Sequence, residues 1–481
     1  MAEKARPTPS PAACFLFFEV LLLTRSILYL LRPAQPGLEQ PAQGLARALR
    51  DAARQTGDPV ENLVRGLVEA INEAESPYDD AEFLTQIGVQ AKEATLLHKQ
   101  LGFLGRFELP LELEHGLLLC HSDVGFPYPD TLHLASTGDF ALLEHRSARV
   151  SGVATSVVAV PAAFANLPLY WPLVAHEYGH MYLRGRADDG GNYSRDTPFV
   201  GHFGYAEAAL EQPLQMWKGE VLCDYMGKAL FDYAFLFPAL AYFFIRSSMG
   251  LATFTTTHPA PWIRLQLLHD ATATDPLAIE LAKLMEGVTP LVKPAMEAGM
   301  VGVGCVACLQ KVTEIASSSI PAQILPEIRQ SLEAFGQHLV AMQVKPKQPR
   351  KDVIANLERA FTEGTPVDLC FAANGLTADV LTAMQGARAS GDWTAMLSQL
   401  SCSTPTVAEL FAAAWRRRLA IQAEFLAESS KYTNSYSDLR EEIDRILESI
   451  FFLGENLKAG LRSLWLLGHL ERVLKDATER H

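Results

Sequence analysis

Residues 172–183 read Pro172-Leu173-Val174-Ala175-His176-Glu177-Tyr178-Gly179-His180-Met181-Tyr182-Leu183, an HExxH pattern in an apolar setting. Residues four apart stand one above the other on a helix. His176 and His180 can therefore offer two imidazole nitrogens to one metal ion, and zinc takes such nitrogens at about 2.0–2.1 Å. Glu177 projects beside them, placed to take a proton from a water on the metal rather than to bind the metal itself. The flanks predict a helix. Trp171-Pro172 puts a proline in the first turn, Leu173, Val174 and Ala175 continue an apolar face, and a strand-like run precedes them.

Two histidines do not complete a catalytic zinc site, which has three protein ligands and an open position. The metzincin pattern requires Gly at 183 and His at 186, and this chain has Leu183 and Arg186. Downstream glutamates are the alternative, with Glu207, Glu211 and Glu220 nearest. Glu220 lies in Trp217-Lys218-Gly219-Glu220-Val221-Leu222-Cys223-Asp224-Tyr225-Met226-Gly227, where Asp224 follows one turn later on the same face. A solvated polar stripe would have the same spacing, but the apolar neighbours make this a costly place for unpaired charges. The expected ligand set is His176, His180 and Glu220 around Zn2+. Asp224 is expected to accept the second ring N–H of a ligand histidine and fix its tautomer.

With HExxH followed by a helix bearing ExxxD, the sequence resembles the gluzincin metallopeptidases. The separation of His180 from Glu220 exceeds that of the thermolysin-like branch. It is similar to the branch of membrane-bound prenyl-protein and stress-response proteases, in which a later His-Pro segment is followed by Arg. Thr257-His258-Pro259-Ala260 with Arg264 is similar to that segment, with Ala260 where Pro is usual and without the spanning helices of those enzymes. The resemblance implies that His258 hydrogen-bonds the substrate or the tetrahedral intermediate and that Arg264 helps hold the site together. It covers roughly Val150 to Leu268.

The rest of the chain sets the frame. Its 481 residues are 49% hydrophobic and 20% charged, a globular composition with material for two or three domains. A net charge of -14 offers no electrostatic footprint for a phosphate backbone, so nucleic acid is not an expected partner. Seven scattered cysteines are unlike a secreted disulfide framework and point to a reducing, cytoplasmic setting. Cys305 and Cys308 form a CxxC with no second pair to complete a zinc site, so packing is their expected role. In the Leu- and Phe-rich stretch Cys14 to Leu31, Glu19 and Arg25 cut the apolar run below the length of a span. Ala229 to Ile245 contains Asp232 and Pro238 and is also short. Both predict core or amphipathic helices, with a membrane-associated protease anchored by Cys14 to Leu31 as the alternative.

Prolines at 33, 36 and 41 end the first helix, and residues 44–99 carry a helical apolar period. Short runs at Gly116 to Cys120, Thr131 to Leu134 and Val150 to Val160 predict strands. Arg186 to Pro198 reads as a loop. From about Pro276 the chain reads as successive helices, broken at Val344 to Arg350, Thr362 to Pro366 and Ser401 to Pro405. Within them Arg416 to Arg418 reads as a solvated face, and Lys345 to Lys351 as a connector. The expected class is mainly α with a small sheet (α+β), the sheet running from about Phe107 to Val160. Residues 1–100 form a helical region, 101–275 a zincin-like core and 276–481 a second helical region. The expected function is zinc-dependent hydrolysis of a protein or peptide substrate. The rival is a helical scaffold with a structural or inactive zinc site, against which Glu177 argues, since a structural site has no need of a general base.

Overall fold

The computed structural model describes residues 11–16, 18–19, 21–22, 116–121, 141–143, 155–160, 167–184, 208–246, 258–270, 272–297, 320–341, 349–364, 385–386, 405–428 and 436–479. The helical reading of 44–99, the Thr131 to Leu134 run, the loop Arg186 to Pro198 and the Cys305-Cys308 pair lie outside them. The chain divides into two compact units, Met1–Lys345 with Leu426–Tyr436, and Pro346–Phe425 with Ser437–His481.

In the first unit, strands β1 (Gly116–His121), β2 (Ala141–Leu143) and β3 (Thr155–Val160) pair in the order β1-β3-β2. β1 runs parallel to β3 with Gly116 opposite Thr155, and β2 runs antiparallel with Leu142 opposite Val158. These segments are short, and the described interior is made by helices. The expected α+β class is therefore corrected: the described residues are about nine-tenths helical, and helix packed on helix, not a sheet layer, forms the described core. Apolar side chains spread around whole helices explain this. Such helices must bury every face and do so against one another.

A 3₁₀ turn, Pro168–Leu173, leads into α1 (Val174–Arg184), then come α2 (Ala208–Phe231) and α3 (Tyr233–Arg246). Two prolines shape the turn, and Leu169, Tyr170, Trp171 and Leu173 are buried in it. α2 and α3 are joined at Asp232, whose φ of 51° places it in the left-handed region that aspartate tolerates better than most residues. Trp217, Val221, Leu222, Cys223 and Met226 of α2 are buried, as is nearly all of α3 from Tyr233 to Tyr242. α4 (Pro261–Leu268) starts on a proline at its first position. In α5 (Pro276–Glu297) Leu277, Leu281, Leu284, Val288 and Val292 recur at helical spacing on the buried side. In α6 (Ile320–Ala341) Ile328, Leu332, Phe335 and Leu339 do the same.

The N-terminal segment is a buried helix over its described residues. Phe15 and Phe18 are fully buried, the Phe15 ring meets Phe237 of α3 edge-on at 6.3 Å, and the buried Glu19 accepts a 2.7 Å hydrogen bond from the Tyr170 hydroxyl. No helix among the described residues is long and apolar enough to cross a membrane.

The described residues of the second unit are almost all helical. α7 (Lys351–Glu363) ends at Gly364, whose φ of 67° is the left-handed stop that glycine adopts without strain. α8 (Val407–Glu428) begins with a capping box in which Thr406 Oγ1 accepts from Glu409 N–H while Glu409 accepts from Thr406 N–H. α9 (Tyr436–Glu479) buries Ile446, Ile450, Leu453, Leu457, Leu461 and Leu464 along one stripe. Of the expected breaks, Thr362 to Pro366 contains the end of α7 at Gly364, while most of Val344 to Arg350 and of Ser401 to Pro405 lies outside the described residues. The solvated-face reading of Arg416 to Arg418 fails at Arg418, which is fully buried and directs Nη1 towards Gln422. Its position on α8 lies among Ala414, Trp415, Ile421 and Phe425, all buried.

Candidate metal centre

Four elements build the site. α1 supplies His176, Glu177 and His180, and α2, packed along it, supplies Glu220 and Asp224. The segment before α4 supplies His258, and α4 itself Arg264. The sequence folds this way locally because the apolar residues around each polar one turn inward. Val174, Ala175 and Leu183 bury α1 on the face that faces the core, and Val221, Leu222 and Cys223 draw Glu220 and Asp224 inward with them. Carboxylates held there need partners.

His176 Nε2 and His180 Nε2 lie 3.1 Å apart. Glu220 Oε2 is 3.2 Å from His176 Nε2, and Glu220 Oε1 is 3.4 Å from His180 Nε2. One donor atom from each of the three residues lies within 4.8 Å of the others, so the group can hold a metal ion. Ligands at about 2 Å around one tetrahedral ion stand about 3.3 Å from each other, which is the spacing seen. Glu220 is 3% exposed, and its Oε2 lies between His176 Nε2 and His258 Nε2 without a well-aligned hydrogen bond to either, an acceptor that a cation would take up. The residues present therefore fit a metal.

The surroundings orient these groups. His176 Nδ1 lies 2.7 Å from Asp224 Oδ1, and Asp224 in turn accepts from Arg264 Nε at 2.6 Å and from Arg264 Nη2 at 2.8 Å. Arg264 Nη2 also stands 3.7 Å from Glu220 Oε2, and the guanidinium lies 4.8 Å over the Phe243 ring. Glu177 Oε1 is 4.0 Å from His176 Nε2, beside the donor atoms rather than among them. His258 Nε2 is 3.3 Å from Glu220 Oε2 with its side chain half exposed, which puts it on the solvent side of the cluster.

Charge follows this geometry. Burial works against a charged His176, but the Asp224 carboxylate outweighs it, and the imidazole is raised to about 10. Burial pushes Glu220 up, yet the neighbouring His180, His176 and His258 hold it well below the ordinary range. Asp224 is likewise opposed by burial and brought down by Arg264 and His176. Burial lowers His258, with Glu220 acting in the other direction. Cys223 is raised well above the usual thiol value, first by burial and then by the nearby carboxylates.

All seven residues singled out from the sequence thus meet in one place. Of the rival ligands, Glu207 and the Glu211 side chain lie outside the described residues. The sequence reading passed over Gly179, against which the backbone of Cys223 packs, and the Glu19–Tyr170 hydrogen bond that ties the N-terminal helix to the turn before α1. A glycine in the interior of a helix was the available signal for the first. Nothing local could reveal the second, since its partners are 151 residues apart. Comparison with family models, with curated proteins and with solved structures finds no match for this chain.

Proposed function

We propose that this protein is a zinc-dependent metallopeptidase acting on a protein or peptide substrate. The observation that carries the reading is the convergence of His176, His180 and Glu220, with Glu177 beside them and Asp224 held by Arg264 behind them. Two imidazoles and a carboxylate are a donor set that zinc accepts, and three protein ligands leave a position open for water. When bound, zinc supplies Lewis acidity and makes water acidic near neutral pH.

The protein's own groups account for the remaining steps. Glu177, next to the donor atoms, takes the proton from the attacking water and passes it to the leaving amine. Asp224 accepts the Nδ1–H of His176, which fixes the ring and directs Nε2 at the metal position. Arg264 grips both carboxylate oxygens of Asp224 and keeps that acceptor in place. His258, at the open side, is in a position to donate to the substrate carbonyl oxygen as it gains negative charge.

The test is Glu177→Gln. The amide keeps the size and polarity of the side chain but cannot accept a proton at neutral pH. The variant is expected to retain its metal and to lose peptidase activity by about 100-fold or more. Equal performance of wild type and variant in every assay would favour the scaffold reading, in which the site is structural.

A further inference from the structure

We infer that Gly179 is a positioning residue, whose missing side chain lets α2 approach α1 closely enough for Glu220 to complete the metal site. This inference rests on the metal site proposed above. A Cβ placed at Gly179 would lie 2.7 Å from Cys223 Cα, 3.0 Å from Cys223 Cβ and 3.2 Å from the Cys223 carbonyl oxygen. Carbon atoms in contact prefer about 3.5–4.0 Å. Two of the three obstacles are backbone atoms, so a rotamer change cannot relieve the overlap. The helices themselves would have to part, by about 1 Å on the same figures.

The consequence falls on the metal because of where Cys223 sits. It follows Glu220 by three residues and precedes Asp224 by one, so one point of contact sets the reach of both carboxylates. Metal–ligand distances tolerate roughly 0.2 Å, and a productive site as a whole about 0.5 Å. A shift of about 1 Å exceeds both. The two histidines on α1 would keep their spacing, since it depends on their own helix alone. Glu220 would fall short of them, and the 2.7 Å contact between Asp224 and His176 would lengthen. Gly also lowers the intrinsic stability of the helix that contains it. Gly179→Ala should thus favour α1 locally while disturbing what α1 builds with α2.

The experiment compares Gly179→Ala with wild type and with Gly336→Ala in the full chain, reading zinc affinity and the visible spectrum after cobalt substitution. Four-coordinate cobalt(II) absorbs strongly and six-coordinate cobalt(II) weakly, so the spectrum reports the ligand set independently of stability. Gly336 also packs on α2, but there an added Cβ meets the tip of the Tyr225 side chain at 2.5 Å, which can move. Gly179→Ala is expected to bind zinc about 10–100-fold more weakly, the usual cost of a displaced support, and to show a weakened cobalt spectrum. Gly336→Ala is expected to change neither.

A folded Gly179→Ala protein with wild-type affinity and spectrum would overturn the inference, as would equal losses in both glycine variants. If Gly179→Ala does not fold, Glu220→Asp decides. It draws the carboxylate back by one methylene without touching the helix crossing, so weakened binding supports the premise that the site does not tolerate the lost reach, and wild-type binding overturns the inference. Failure of the wild-type chain to bind either metal would sink the proposed function instead, which keeps the two failures apart.

Discussion

His176 donates from Nδ1 to Asp224 and turns Nε2 towards His180 and Glu220, so a metal held there would share one ring with a proton on its opposite edge. In the metal-free protein the carboxylates outweigh burial and keep the ring charged up to about pH 10. A metal ligand must be neutral at the coordinating nitrogen. Binding near neutral pH therefore expels a proton, and the sign follows: protons compete with the metal, so apparent affinity rises with pH until it levels off near 10. The slope approaches tenfold per unit for one proton released. Asp224→Ala removes the largest raising influence on His176, so that variant is expected to show a shallower pH dependence, with less proton competition at low pH set against a loss of about 10–100-fold in the proton-independent affinity as the ring loses its support. Calorimetric titrations with zinc between about pH 6 and 9, in buffers of different ionisation heat, read both quantities. A flat profile in the wild type would contradict the account. These residues were legible because their chemistry follows sequence spacing: His176 with His180, and Glu220 with Asp224, each lie one helical turn apart.

At the scale of elements the legible features are those set by neighbours in the chain. The helix start at Pro276, the stop at Gly364 within the expected break, and the start of α8 just after Pro405 follow from local residue chemistry. The start of α8 shows how much rests on one side chain. Glu409 accepts from the Thr406 N–H, from the Arg350 N–H and from the Arg350 guanidinium at 2.7–2.9 Å, and it is almost fully buried. Burial opposes its ionisation, but the Arg350 hydrogen bonds bring it below the ordinary range. Glu409→Ala removes the capping box and the ion pair together and is expected to cost roughly 1–3 kcal/mol. Urea unfolding of the variant beside wild type measures this, and an unchanged midpoint would contradict it. What local pattern could not reveal is how elements meet. Gly179 reads as a weak point in a helix until Cys223 is placed against it, and Arg418 reads as surface until its helix is surrounded.

At the scale of the molecule, pairing over long distances decided what the sequence left open. The strands read at Gly116 to Cys120 and within Val150 to Val160 form, but they do not make the expected α+β class, because the bulk of the described apolar residues sits on helices that bury one another. The N-terminal segment, read as an amphipathic or buried helix from Glu19 and Arg25, is seated in the first unit through Phe15 and Phe237, and Glu19 itself meets Tyr170. That unit contains every residue of the candidate site, so the central claim can be tested on the intact chain. The most direct measurement is elemental analysis of the purified protein beside His180→Ala and Glu177→Gln. We expect about one zinc per chain in the wild type and in Glu177→Gln, and little or none in His180→Ala. Zinc-free wild type that takes up none on titration, or a His180→Ala protein with undiminished zinc, would contradict the account.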